Sequence, residues 1–352
     1  MQGVKNKTES EILMTKLSKN NLQYMVGGLL YMPAFQKNII DKFKNNSIDC
    51  LTSIAFCLED SIRDEALPEA EESLKYILQE LKFISTENIE SSFRRNLLNG
   101  INLPLIFIRV RSPEHLQAVH KKLSDFTNII TGYIFPKFDL NNAENYAAII
   151  YEINRNRKQP LYIMPILETE MISDITTRND SLIRIKKVLD IIKDYVLNVR
   201  VGVNDLSNLY GLRRDIKHTV YDIGVVRDIL INIINVFAKD YVVASSVWNY
   251  FDNGKSDAWI EGLKQELILD KLNGFIGKSA IHPSQLPYIF DSLKVTQDDL
   301  DNANQILNWQ SDSHGVVNGT GIMNELKCHH KWAKRIKMLS EIYGVKNNES
   351  LV

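Results

Sequence analysis

The chain has 352 residues, 44% of them hydrophobic and 24% charged, with a formal net charge of −1. That balance fits a folded globular protein and excludes collagen-like, intrinsically disordered and disulfide-scaffold classes. Forty-two basic against forty-three acidic residues give no global attraction to nucleic acid or to an anionic membrane, so neither is expected as a partner.

In chain order, residues 1–25 read as a polar, helix-prone extension without the uninterrupted apolar run of a secretory signal. No window approaches the about eighteen apolar residues of a membrane span, and a cytoplasmic protein is expected. Eight short apolar runs follow. They are Gly28–Pro33, Ser53–Asp60, Leu103–Arg109, Gly132–Lys137, Leu161–Glu168, Val199–Asp205, Tyr241–Val247 and Gly274–His282. Each is apolar through its middle, as a strand buried on both faces must be. Between them lie helical stripes. Leu74, Ile77, Leu78 and Leu81 form one, and Val226, Ile229, Leu230, Ile233 and Phe237 another. Strands alternating with helices imply parallel βαβ units, and eight of them imply a (β/α)8 barrel over residues 26–294, with an open doubly wound sheet as the alternative. No glycine-rich dinucleotide fingerprint or P-loop is present.

Past about Lys294 the strand theme ends. Thr296 with Asp299 reads as a helix start, an amphipathic stretch runs to Trp309, a Ser/Gly/Asn-rich loop follows, and a basic helix spans about Lys327–Tyr343. This tail, residues 295–352, is either a packing arm and oligomer contact or a lid over the barrel mouth, and a homo-oligomer is expected. Of the three cysteines, Cys57 sits in an apolar run as a small hydrophobe, and none forms a Cys-x-x-Cys pair suited to structural zinc.

Charge appears where the apolar runs end. Glu59 and Asp60, Arg109 and Arg111, Lys137, Glu168, and Asn204 with Asp205 occupy those positions, and the eighth run carries Lys278 and His282. A buried strand tolerates ionisable groups only at its ends, and the carboxyl ends of barrel strands form the active face. Any one of these residues could be a solvated loop charge or a helix cap, and His282 before Pro283 fits a turn histidine. Together they form a rim of acids and bases. Two carboxylates plus waters suit a hard cation such as Mg2+. Arg109, Lys137 and Lys278 favour an anionic substrate over a sugar held between two carboxylates.

These residues carry a family resemblance. The chain resembles the HpcH/HpaI aldolase–citrate lyase family on its citrate lyase β-subunit-like branch. The family's LED appears as Leu58-Glu59-Asp60, its VRVN as Ile108-Arg109-Val110-Arg111, its PK as Pro136-Lys137, its ET as Glu168-Thr169 and its GEDL as Val203-Asn204-Asp205-Leu206. The terminal motif stands intact from Gly274 to Gln285, GFIGKSAIHPSQ. The first-strand PGDR is Pro33-Ala34-Phe35-Gln36, so its glycine and arginine are absent. With Arg213, Arg214 and Ser246-Val247-Trp248, the chain is similar to a divergent stand-alone subgroup found with tellurium-resistance-type gene clusters.

The resemblance implies a TIM barrel that binds Mg2+ through Glu168 and Asp205 and makes or breaks a carbon–carbon bond beside a carbonyl. Arg109 is then the group that stabilises the enolate, with Glu59 and Asp60 holding metal waters or positioning a cation. Lys137 is a candidate for neutralising substrate charge. Arg213 and Arg214 follow Asp205 and either bind an anionic substrate group or form a solvated loop. Glu325 stands near the family's acidic residue beyond the barrel, as a general base or as an acid favoured by a helix dipole. The expected function is a Mg2+-dependent carbon–carbon lyase, or the reverse aldol- or Claisen-type condensation, on a small oxoacid or acyl compound. An acyl-thioester hydrolase and an inactive metal-binding scaffold are the alternatives.

Overall fold

The computed structural model describes residues 18–45, 47–86, 103–309, 315–318 and 322–346. Most of the expected N-terminal extension lies outside them; its end is a short helix, α1 (Lys19–Met25). The chain forms two compact units, Met1–Pro287 and Tyr288–Val352, whereas the sequence reading divides it after residue 294.

In the first unit, all eight apolar runs become parallel strands. They are β1 (Gly28–Pro33), β2 (Ser53–Cys57), β3 (Leu105–Arg109), β4 (Gly132–Phe135), β5 (Tyr162–Leu167), β6 (Asn198–Val201), β7 (Val242–Ala244) and β8 (Lys278–Ala280). The sheet order runs β7-β6-β5-β4-β3-β2-β1-β8. A parallel bridge between Ser245 and Lys278 joins β7 to β8 and closes the ring. The (β/α)8 barrel is therefore the observed fold, and the open doubly wound alternative falls.

The connecting helices are α2 (Ile39–Lys44), α3 (Leu67–Thr86), α4 (Pro113–Lys122), α5 (Ala143–Asn154), α6 (Glu170–Ser173), α7 (Arg178–Ile191), α8 (Val203–Asn208), α9 (Gly224–Phe237) and α10 (Ala258–Leu272). The apolar stripes read from sequence on α3 and α9 are buried, because strands buried on both faces need an apolar helix surface over them. Aromatic packing adds to this layer: the Phe135 ring of β4 stacks on Tyr146 of α5 with centroids 4.0 Å apart.

Except for β1 and β3, the strands end before the apolar runs do. Val203, Asp205 and Leu206 lie in α8, so Asp205 stands in the first turn of a helix and not at a strand end. The ladder between β5 and β6 also slips. Ile163 bridges Val196, but Ile166 pairs with Arg200, so β6 carries one extra residue beside Pro165. Such a bulge bends a strand locally and re-aims its side chains.

The helix α11 (Leu286–Leu293) leads into the second unit, which holds α12 (Gln297–Leu307) and α13 (Leu326–Tyr343). Thr296 caps α12 by accepting the Asp299 N–H at 3.1 Å, the helix start expected from sequence. The expected loop before α13 differs. Val316–Asn318 (β9) pairs antiparallel with Met323–Glu325 (β10), and the buried Asn324 amide donates to Asn302 Oδ1 at 2.7 Å. Among the described residues no helix is long and apolar enough to cross a membrane.

Candidate active site

The charged residues at the ends of β2 to β5 converge above the barrel. Arg109, the last residue of β3, is buried and directs Nη2 at three carboxylates: Glu59 Oε2 at 2.8 Å, Asp60 Oδ2 at 3.0 Å and Glu168 Oε1 at 3.4 Å. Burial opposes its charge, but Glu168 and Glu59 outweigh that and hold its pKa above the usual value. Its Nε is buried without a partner. Lys137 follows β4 in the left-handed region, at φ 47°. This strained conformation accompanies a backbone N–H that donates to Glu168 Oε1 at 2.9 Å. Its Nζ lies 2.5 Å from Glu59 Oε1, 3.1 Å from Asp60 Oδ1 and 3.9 Å from Asp205 Oδ1. Burial opposes the ammonium charge, yet Glu59 and Asp60 raise its pKa.

Four carboxyl groups thus meet two cations, an excess of two acidic groups. The carboxylates respond unequally. Burial pushes the Glu168 carboxyl up to about 7; Arg109 opposes this, and the nearby Asp205 charge adds to it. Burial likewise raises Glu59. Asp60 is held below the ordinary range, because its hydrogen bonding with Glu59 and the charges of Arg109 and Lys137 outweigh its own desolvation. Arg111, the other cation of the β3 end, ties down the loop that carries Glu59 and Asp60. Its Nε donates to the Leu58 carbonyl at 2.6 Å and its Nη1 pairs with Asp64.

The cavity beneath this cluster measures about 360 Å3 and is lined by Tyr31, Arg109, Glu168, Arg200, Asp205 and Ser279 among others. Gly202 forms part of the same wall. A Cβ there would lie 1.8 Å from Glu168 Oε2, so only glycine fits beside that carboxylate. The loop after β7 supports this wall, since Ser246 Oγ accepts the Val203 N–H at 3.1 Å.

Other sequence candidates have different surroundings. Lys278 is not a rim cation. Its side chain is fully buried against α10, with Nζ 2.8 Å from both Glu266 Oε1 and Asp270 Oδ2. Arg214 is not turned to a substrate either. It is buried, 2.8 Å from Glu266 Oε2, and packs on the Trp248 ring. The neighbouring Arg213 is exposed and lines a separate cavity with Asn208 and Asn249. His282 is the turn histidine considered from sequence: it accepts the Ser284 N–H and stacks on Phe251. Glu325 is half-buried in the second unit at the start of α13; its N–H donates to His329 Nδ1 at 3.0 Å, and the Cys328 thiol lies 3.2 Å from Oε2. The sequence reading missed Tyr31, Arg200 and Gly202. Arg200 carried a signal, a charge inside an apolar strand; Tyr31 and Gly202 carried none.

A family model described as C-C bond lyase of the TIM-barrel fold matches residues 20–345. The chain belongs to this family. No curated protein matches it. Among solved structures it is similar to the CitE protein of Mycobacterium tuberculosis crystallised with magnesium, acetoacetate and coenzyme A. That match has 17% identity and a TM-score of 0.56, and covers 89% of this chain and 97% of that one. It is also similar to a citrate lyase from Burkholderia xenovorans LB400, at 14% identity and a TM-score of 0.62, covering 91% and 92%. At these identities the likeness establishes the barrel, and the chemistry must be argued from the site.

Proposed function

We propose that this chain is a Mg2+-dependent carbon–carbon lyase, or catalyses the reverse aldol- or Claisen-type condensation, on a small oxoacid or acyl compound. The observation that carries this reading is the buried Glu168 carboxyl beside Asp205, in a cluster with two more acids than cations. Such a cluster is electrostatically incomplete without a cation, and its oxygen donors match a hard one. Among the described residues no three His, Cys, Asp or Glu side chains are gathered as a metal cage. A site of two carboxylates leaves positions for water and substrate oxygens, as Mg2+ prefers. The magnesium in the Mycobacterium tuberculosis CitE structure points the same way.

Glu168 and Asp205 would hold the ion. When bound, Mg2+ supplies Lewis-acid stabilisation of the negative charge that develops on a substrate carbonyl oxygen. Arg109 holds its buried guanidinium 3.4 Å from Glu168, and its Nε, buried without a partner, would donate to that substrate oxygen. Glu59 and Asp60 fix the guanidinium through Nη2. Lys137 spans Glu59, Asp60 and Asp205 and so ties the acids of β2 to the candidate ligand on α8.

Calorimetric titration of Mg2+ tests the assignment. Glu168→Gln and Asp205→Asn should each weaken binding at least about tenfold in a folded protein. Unchanged affinity in both removes the metal from this site. A screen of oxoacids with and without Mg2+, read by release of a carbonyl fragment, tests the lyase reaction itself.

A further inference from the structure

Arg200 is a buried cation in an unusual position. It sits in the middle of β6, is 1% exposed, and lines the cavity under the acidic cluster. The other buried arginines among the described residues each have a carboxylate close by. Arg109 has Glu59, Asp60 and Glu168; Arg178 has Asp228 at 2.5 Å; Arg214 has Glu266 at 2.8 Å. Arg200 has no carboxylate within ion-pair distance among the described residues. Its Nη2 donates across the barrel to Ser279 Oγ at 2.9 Å, and its Nη1 reaches Asn198 Oδ1 at 3.3 Å. Both partners are neutral. An isolated buried charge is costly unless something compensates it, and burial depresses the pKa of this guanidinium accordingly. Its hydrogen-bond partner on the cavity wall, Tyr31, is a neutral hydroxyl as well, so no opposite charge meets it on that side among the described residues.

Position adds the second argument. Ile166 pairs with Arg200, so Arg200 lies two residues, about 6.6 Å along the strand, below the level of Glu168. The cavity is therefore bipolar, with excess negative charge at its mouth and an unneutralised guanidinium beneath. Tyr31 and Ser279 place hydroxyl groups on the same wall.

We propose that Arg200 is an anion-binding residue that receives the far carboxylate of a short dicarboxylate or oxo-dicarboxylate, whose other end lies at the acidic cluster. The planar fork of the guanidinium binds a carboxylate through two parallel N–H donors, and Ser279 holds that fork in place. The inference deepens the lyase reading, on which its substrate class rests: it selects a dianion with its charges a few bonds apart over a monocarboxylate.

The test is calorimetric titration of the full chain with succinate, an unreactive short dicarboxylate, and with butyrate, its monoanionic counterpart, both with Mg2+ and with a chelator. Arg200→Gln should weaken succinate binding at least about tenfold, the usual value of a charge-assisted hydrogen bond, and leave butyrate nearly unchanged. Arg200→Lys should fall between, because it keeps the charge and loses the fork. If Arg200→Gln fails to fold, Arg200→Lys and Ser279→Ala carry the test, each expected to lower succinate affinity selectively. Equal succinate affinity in the folded variants overturns the proposal, as does a parent chain that binds succinate no better than butyrate. The metal reading fails separately, by unchanged Mg2+ affinity in Glu168→Gln and Asp205→Asn.

Discussion

Gly202→Ala is the smallest change that should disable the site. The new Cβ would lie 1.8 Å from Glu168 Oε2, 2.5 Å from its Cβ and 2.7 Å from its Cδ. Non-bonded carbons rest about 3.5–4.0 Å apart. Rotating the carboxylate relieves the first contact, but the Cβ contact persists in every rotamer. Relief therefore requires β5 and β6 to separate by about 1 Å, against the Gly202 N–H bond to the Leu167 carbonyl at 3.2 Å. Overpacking of this kind costs about 1–3 kcal/mol, and a 1 Å error in a catalytic geometry costs about a hundredfold in rate. The variant should melt several degrees below the parent and bind Mg2+ at least about tenfold more weakly in calorimetry. Gly224→Ala is the control, since a Cβ there meets nothing within 4 Å. A Gly202→Ala protein with parental melting temperature and Mg2+ affinity would refute the placement of Glu168 as a ligand beside this glycine.

Arg109→Lys should fold and bind Mg2+ but lose turnover, because an ammonium cannot serve several carboxylates and a substrate oxygen as a guanidinium does; a rise in KM alone would make Arg109 a ground-state binding residue. In metal-free protein the Glu168 pKa is raised to about 7, so the native state holds a proton that the unfolded chain has already released. This contribution to stability is complete below the ordinary carboxyl range and fades as pH rises through about 7, which melting curves in chelator across that window should show. Mg2+ binding requires the ionised form, so its affinity should rise over the same window with proton release; pH-independent affinity contradicts the pairing. Lys278→Met should cost about 3–5 kcal/mol by leaving Glu266 and Asp270 with one buried cation fewer. Denaturant melts that barely move would show that this ion network does not support the barrel.

The barrel was readable because buried parallel strands are mostly apolar, and each of the eight runs overlaps one. Their ends were less readable. Val203 and Leu206 continue the apolar pattern of β6, but they belong to α8 and face inward from a helix. Composition does not distinguish the two cases. Arg109, Glu59, Asp60, Lys137, Glu168 and Asp205 could be brought together from sequence because each ends a strand or lies within a few residues after one, and topology alone gathers such positions at one rim. Arg200 was missed by the same rule: reading charge only at strand ends passes over a charge in a strand's middle, although desolvation makes that the more informative place. Arg214 and Lys278 were misplaced because nothing local separates a cation facing substrate from one facing a buried acid. The deciding partner, Glu266, lies on α10.

The terminal GFIGKSAIHPSQ motif is the most specific sequence signal in the chain, yet most of its side chains serve closure of the barrel. Gly277 adopts φ 79°, and a Cβ there would lie 2.5 Å from the Gly27 carbonyl, so glycine lets β8 approach the start of β1. The next residue turns outward, and Lys278 meets Glu266 and Asp270 between sheet and helix. Arg214 supplies the second cation, while Tyr221 and Ser245 hydroxyls donate to Asp270 Oδ1 at 2.7 Å each. Two acids and two bases are thus neutralised where the last strand must join the first, the place where a mispaired barrel would fail to close. Gln285 then donates to the carbonyls of Trp248 and Tyr250 at 2.9 and 2.8 Å, fixing the loop that follows Ser246, which in turn holds Val203 beside Gly202. Of the motif's residues Ser279 and Ile281 line the cavity, and the partner of Ser279 there is Arg200. The motif therefore acts on chemistry at a distance: it sets the position of β6 and its loop, and with them Gly202 and Asp205, without touching the acidic cluster itself.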